Sequence, residues 1–207
     1  MAAALRLDGR PSLLGNGNFG DAVAKCMSGY FPGSRFAEEL DDAFREPSRL
    51  VVVASSQLVP SVHEHADELA YKAGVPWLSI TMEHPVIRIG PLVNPGEGPC
   101  FRCYMSRRRQ HDRRWSSSRI LHDAYDRGES PGPGGFLPQH PRIAAGAAAC
   151  LLGEHGATGQ VITMSLLRLD LAAHVVTACH GCDRCAPPAV LPGLADLLSQ
   201  EVGASAH

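Results

Sequence analysis

Two short stretches constrain this chain more than anything else in it: Cys100-Phe101-Arg102-Cys103 and Cys182-Asp183-Arg184-Cys185. Each is a C-x-x-C pair, and two intervening residues let one turn aim both sulfurs at a point. Two pairs supply the four thiolates of a closed tetrahedral zinc site. Turn-forming residues flank both, with Gly96, Gly98 and Pro99 before the first and Gly181 before the second. One pair alone reads equally well as a redox dithiol, so the weight lies in there being two. Their separation is too long for one compact zinc ribbon, so the metal would tie a late segment to a middle one. Cys179 also stands C-x-x-C to Cys182, which leaves two choices for the second pair. Cys182 with Cys185 is preferred, and Cys179 is read as a strand thiol.

The chain has 207 residues, enough for one sizeable core. We expect a single domain over residues 1–190, then a short helix and a frayed tail over 191–207. A net charge of -2 argues against a nucleic-acid binder driven by overall charge. No apolar run is long enough to span a membrane, and Met1 to Leu7 has no signal-peptide core. Cysteine pairs without a secretory signal fit the reducing cytoplasm, where thiolates persist for metal.

Along the chain, Leu13-Leu14 runs into Gly15-x-Gly17-x-x-Gly20. Val23, Ala24, Met27, Tyr30 and Phe31 follow at helical spacing. Strand, glycine turn and helix form the context of a nucleotide loop. The same glycines serve equally well for tight strand–helix packing. Phe36, Leu40 and Phe44 recur every four residues and predict a helix over Arg35 to Glu46. Leu50 to Ala54 reads as a central parallel strand. Ser61 to Glu64 reads as a capping box, and Gly74 as the C-cap of the helix it opens. Strands are expected at Pro76 to Met82 and Val86 to Ile89, then a loop from Gly90 to the first cysteine pair.

Arg107, Arg108, Arg109, Arg113 and Arg114 form a basic cluster. It is read first as a solvated helix face and second as a site for an acidic partner, with Arg107, Arg108 and Arg109 its candidate residues. Ser130 to Pro141 is expected to be a loop, and Arg142 to Gly153 an Ala-rich helix carrying Cys150 as a core thiol. Gln160 to Leu169 and Leu171 to Ala178 are expected to form a hairpin leading into the second cysteine pair. No H-E-x-x-H or G-x-S-x-G pattern is present, and no catalytic residue is assigned.

The glycine turn, apolar strand, G-P-x-V-x-P-G-x-x-P-C-x-R-C stretch, Pro-rich loop, Ala-rich helix and late C-x-x-C resemble, in this order, the ubiquitin-activating-enzyme superfamily of ThiF and MoeB type. Ile89 to Gly96 through Cys103, with Asp112 and Trp115 beyond, is most similar to the ThiF-like proteins of azole-containing peptide biosynthesis. Those are the cyclodehydratase partner and leader-peptide-binding proteins that accompany a YcaO enzyme. The resemblance covers residues 11–190. It implies an α/β fold, a truncated Rossmann-like ThiF-type domain. Its mostly parallel sheet would be flanked by helices and end in a C-terminal hairpin. The family's structural zinc ligands fall on Cys100, Cys103, Cys182 and Cys185.

Two departures shape the functional expectation. An adenylating member needs an acid on the strand after the glycine turn for the ribose, and an Asp ending a later strand for Mg²⁺. Here that later strand ends in Ser55-Ser56, and Glu38 to Asp42 fall on the predicted helix. Gly15, Gly17 and Gly20 are therefore read as a degenerate nucleotide loop, and ATP is not expected to bind. Many members also carry a winged-helix peptide-recognition domain first. This chain begins at the first strand, so capture of the precursor peptide by that usual route is not expected, and another polypeptide is one alternative source of it. The expectation is a non-catalytic, zinc-binding accessory protein that scaffolds or activates a YcaO-type cyclodehydratase, presents its precursor peptide, or does both. The rivals are an adenylating enzyme acting on a peptide or carrier-protein C-terminus, and a zinc-dependent module that forms homodimers.

Overall fold

The computed structural model describes residues 10–45, 48–153, 158–168 and 170–185; the helix expected at 191–202 lies outside them. In chain order the elements are β1 (Ser12–Asn16), α1 (Gly17–Tyr30), β2 (Arg35–Ala37), α2 (Leu40–Arg45), β3 (Val51–Ser55), α3 (Pro60–Ala73), β4 (Trp77–Glu83), β5 (Val86–Val93), α4 (Phe101–His111), α5 (Trp115–Asp126), α6 (Gln139–Leu152), β6 (Gln160–Ser165) and β7 (Leu171–Val175). They build one seven-stranded sheet of order β2-β1-β3-β4-β5-β6-β7. The first four strands in that order run parallel, and β5, β6 and β7 continue antiparallel. The expected C-terminal hairpin is β6–β7.

Alternation along the strands sends side chains to two cores. Leu13, Val52, Ala54, Leu78 and Ile80 meet Phe19, Val23 and Met27 of α1 and Ala144, Ala148 and Leu151 of α6 on one face. The alanines and glycine of α6 let it lie close to α1. On the other face Leu14, Val51, Val53 and Trp77 meet Ala66 and Ala70 of α3 and Phe101 and Tyr104 of α4. Covered on both sides, β3 is buried at all five positions, which is why its sequence is a continuous apolar run.

Several local expectations are corrected. Arg35 to Glu46 is not one helix: Arg35–Ala37 is a strand beside β1, and a helix starts only at Leu40. Phe36 is 55% exposed and Phe44 is buried, so their spacing is a coincidence across two elements. The strand is held by Arg35 N–H donating to Pro11 O, and by the Arg35 guanidinium reaching Asp42 O. Ser61 makes no capping box. The helix opens one residue earlier, with Pro60 in its first turn and no side-chain cap of its own. Asp126 at the end of α5 supplies the cap from outside, accepting from Ser61 N–H at 3.0 Å and Ser61 Oγ at 2.7 Å. Gly74 ends α3 at φ 66, as read.

Gly90 to Val93 continues β5 instead of starting a loop, and α6 begins at Gln139. Cys150 is exposed, so it is no core thiol. Cys179 lies beyond the end of β7 and is not in a strand. No helix among the described residues is long and apolar enough to cross a membrane.

Candidate metal centre

Cys100 is the N-cap of α4 and Cys103 lies in its first turn, so a helix N-terminus presents the first pair. Unpaired amides and the helix dipole at such an end favour a thiolate. The second pair sits in a turn after β7, closed by Cys182 N–H donating to Cys179 O, with Gly181 at φ 71. The four sulfurs of Cys100, Cys103, Cys182 and Cys185 all lie within 4.8 Å of one another. Cys100 Sγ is 3.7 Å from Cys182 Sγ, and Cys103 Sγ is 3.4 Å from Cys185 Sγ. A tetrahedron with metal–sulfur bonds of about 2.3 Å has edges of about 3.8 Å, so the quartet fits a Cys₄ zinc site.

The surroundings support that use. Burial pushes the Cys100 and Cys185 thiols up. Burial acts the same way on Cys182, but the backbone amides of Cys185 and Arg184 outweigh it and hold that thiol at about 7. A divalent cation among four such groups reverses the cost of burying thiolates. Cys179 takes a different part from the one expected: its N–H donates to Cys103 Sγ at 3.1 Å, while its own sulfur stays outside the quartet. Of the two choices left open, the geometry brings Cys185, and not Cys179, into the quartet that could hold a metal ion.

The residues between the cysteines lock the two pairs together. Asp67 of α3 is fully buried. Its Oδ1 accepts from Trp77 Nε1 and from Phe101 N–H, both at 3.2 Å, and its Oδ2 pairs with Arg184 Nη1 at 2.8 Å. Burial pushes the Asp67 carboxyl up, and these three donors oppose it. Arg102 reaches Glu68 at 3.4 Å and Asp183 at 3.6 Å, and Arg184 also reaches Glu68 at 3.5 Å. Such outer partners orient metal ligands. Sequence reading missed Asp67 and Glu68, which look like ordinary polar positions of a helix; the one available signal was an Arg inside each C-x-x-C.

The glycine turn is built for close packing. A side chain at Gly20 would strike the Ala54 carbonyl of β3, one at Gly17 (φ 74) would strike Ser56 Oγ, and one at Gly15 would strike Asp21. Ser56 Oγ accepts the Phe19 N–H at 3.1 Å, so a side chain already occupies the donor end of α1. One premise changes. Because β2 exists, Glu38 follows the C-terminal end of the strand beside β1 instead of lying on a helix. That is the position from which an acid holds a ribose.

The arginine cluster is divided by the fold. Arg108 pairs with Glu83 through both Nη atoms, at 3.2 and 2.6 Å, with both side chains mostly buried. Arg107 donates to Thr177 O and Ala178 O. Arg109 is exposed, its guanidinium 6.0 Å from the Trp115 ring centre. A solvated face therefore describes Arg109, Arg113 and Arg114 but not Arg107 or Arg108.

No protein-family model and no curated protein matches this chain. Solved structures do. A heterocyclase in complex with substrate and cofactor aligns with a TM-score of 0.66 at 19% identity, over 91% of this chain and 27% of that one. The heterocyclase TruD aligns with a TM-score of 0.62 at 19% identity, over 89% and 28%. The Escherichia coli (E. coli) microcin synthetase complex McbBCD aligns with a TM-score of 0.57 at 12% identity, over 84% and 67%. The chain thus spans little more than a quarter of the length of the two heterocyclases. The resemblance read from the residues stands at the level of the fold: this chain is similar in fold to part of two heterocyclases and of a microcin synthetase complex.

Proposed function

We propose that this chain is a non-catalytic, zinc-stabilised accessory protein of azoline formation on a ribosomally made peptide. It scaffolds or activates a YcaO-type cyclodehydratase in the cytoplasm, presents the precursor peptide to it, or does both. The residues that carry this part are spread over one ThiF-like domain, with Cys100, Cys103, Cys182 and Cys185 holding the metal. Arg109, with Arg113 and Arg114, gives the exposed basic face for the partner; Arg107 and Arg108 are engaged with the Thr177 and Ala178 carbonyls and with Glu83. The observation that carries the reading is Ser56. It stands at the end of β3 where an acid would hold Mg²⁺, and its hydroxyl takes an amide that a phosphate would need. The similarity of fold to heterocyclases supports the pathway.

The test is reconstitution. The enzyme and its precursor peptide are mixed with and without this chain, and loss of water from the peptide is followed by mass. Faster loss with the chain, and co-elution of the two proteins, is the expected result. Equal rates without co-elution would leave only a zinc-dependent module. A second reading, an adenylating enzyme acting on a peptide or carrier-protein C-terminus, is favoured by Glu38 at the end of β2.

A further inference from the structure

A cleft of about 430 Å³ opens between α4 and the antiparallel half of the sheet. Its basic side is Arg88, Arg107, Arg108, His111 and His174; Tyr104 and Val161 give it an apolar floor. Glu83 does not line it. That carboxylate lies behind, paired with Arg108 at 2.6 Å and Arg88 at 3.3 Å. Two guanidinium groups thus share one carboxylate, and Arg107 lines the cleft with no acid paired to it, its donors going to Gln110 and to the Thr177 and Ala178 carbonyls, so the cleft carries surplus positive charge. This is a local field on a chain whose net charge is -2.

Beside the cleft runs β7, exposed at all five positions. Among the described residues it pairs on one side only, with β6. Val176 N–H donates to Gly159 O and Ser165 N–H to Asp170 O. With the register Gln160↔Val175 to Met164↔Leu171, these bonds fix the alternation. Ala172 and His174 turn their backbone groups toward β6, whereas Leu171, Ala173 and Val175 turn theirs outward. The strand reads Leu-Ala-Ala-His-Val and carries no Lys, Pro or acidic residue, the usual protections of an edge.

We propose that the open edge of β7 and the basic cleft form one docking site for an extended acidic segment of a partner polypeptide. The segment adds as a strand to β7 through the outward amides and carbonyls of Leu171, Ala173 and Val175. Every second side chain then falls on the face of Arg88, Thr163 and His174, which share one side of the sheet by register. Backbone bonds supply affinity, and the positive cleft selects acids at alternate positions. The idea rests on the function proposed above only for the polypeptide nature of the occupant.

The probe is a labelled peptide of alternating Glu and Val, with a counterpart bearing Lys for Glu, titrated into the zinc-loaded full chain by fluorescence anisotropy. The Glu peptide binds saturably and the Lys peptide does not. Ala173→Pro, which removes an outward N–H and none of the β6 bonds, weakens binding by about tenfold or more with zinc content unchanged. His174→Glu weakens it as well. Should Ala173→Pro lose its zinc, the Glu peptide with alternate amides N-methylated replaces it, and equal binding of both peptides by the unaltered chain overturns the site. So does binding of neither peptide, of both alike, or of the Glu peptide by Ala173→Pro as by the parent. A dimer in sedimentation that Ala173→Pro splits, with no peptide binding, means that a second copy occupies the edge, and also overturns it. Peptide binding without acceleration of a cyclodehydratase leaves this site standing and removes the proposed function.

Discussion

Asp67 Oδ2 and Arg184 Nη1 stand 2.8 Å apart although 117 positions separate them, and Asp67 is buried completely. The pair holds the second cysteine turn against α3, while the other Asp67 oxygen holds the start of α4 and the first cysteine pair. Removing one member of a buried pair costs about 3–5 kcal/mol. Asp67→Asn is expected near the lower end, about 3 kcal/mol, because Arg184 keeps some contact with water and with Glu68. Urea midpoints at fixed zinc measure this. Asp67→Asn combined with Arg184→Met is expected to cost less than the two singles added. Simple additivity would mean that the two residues act separately.

Metal content tests the centre directly. Purified chain is expected to carry one zinc, and Cys182→Ser and Cys185→Ser each to lose it. Cys179→Ser is expected to keep it, because the Cys179 amide reaches Cys103 Sγ while its own sulfur reaches the Cys103 carbonyl and none of the four sulfurs. Retention by Cys185→Ser with loss by Cys179→Ser would reverse the assignment. Stripping the metal should also release the segment after β7, since metal binding is coupled to folding.

Acid should weaken the fold through Glu83. Burial pushes its carboxyl up, but Arg108 and Arg88 outweigh that, so its folded value lies below the ordinary 4.5. As pH falls, the unfolded chain takes this proton first. The contribution is therefore whole above about 4.5, fades below it, and is gone beneath the folded value. Glu83→Gln is expected to cost about 3 kcal/mol near neutral pH, since it strands Arg108. The gap from the parent should close as the pH is lowered. A gap that stays constant down to acid would show that packing, not charge, is lost.

Nucleotide binding separates the two functional readings. With Ser56 at the N-terminus of α1, no Mg·ATP affinity in the micromolar range and no pyrophosphate exchange are expected. Calorimetry answers the first and isotope exchange the second. Micromolar binding that Glu38→Ala weakens would establish a ribose contact at the end of β2 and revive the adenylating reading.

What could be read from the sequence follows physical range. The four cysteines were legible because thiolate coordination dictates both residue type and spacing. Leu50 to Ala54 was legible because burial on both faces permits no polar residue. The stretch from Arg35 was misread because a helical period over Phe36, Leu40 and Phe44 arises equally from a short strand, a bend and a short helix. Gly90-Pro91 looked like the start of a loop, although β5 runs through it. Asp67 carried no signal of its own beyond the Arg inside each C-x-x-C. Its partners Trp77, Phe101 and Arg184 come from three separate parts of the chain, and no local pattern records them. The Glu83–Arg108 pair was hidden in the same way, so a buried arginine was read as part of a solvated face.

The two halves of the cysteine quartet are 82 positions apart along the chain, and α4, α5, α6 and the β6–β7 hairpin lie partly or wholly between them. A link across a loop of that size removes roughly 4–5 kcal/mol of freedom from the unfolded chain, by the estimate that holds for covalent bridges. Oxidation of the thiolates into disulfides within each C-x-x-C would abolish that link while leaving all four cysteines of the quartet paired. The redox poise of the surroundings therefore decides whether the β6–β7 hairpin and the turn after it are clamped to α4 through a metal or held by strand pairing, packing and the Asp67–Arg184 pair.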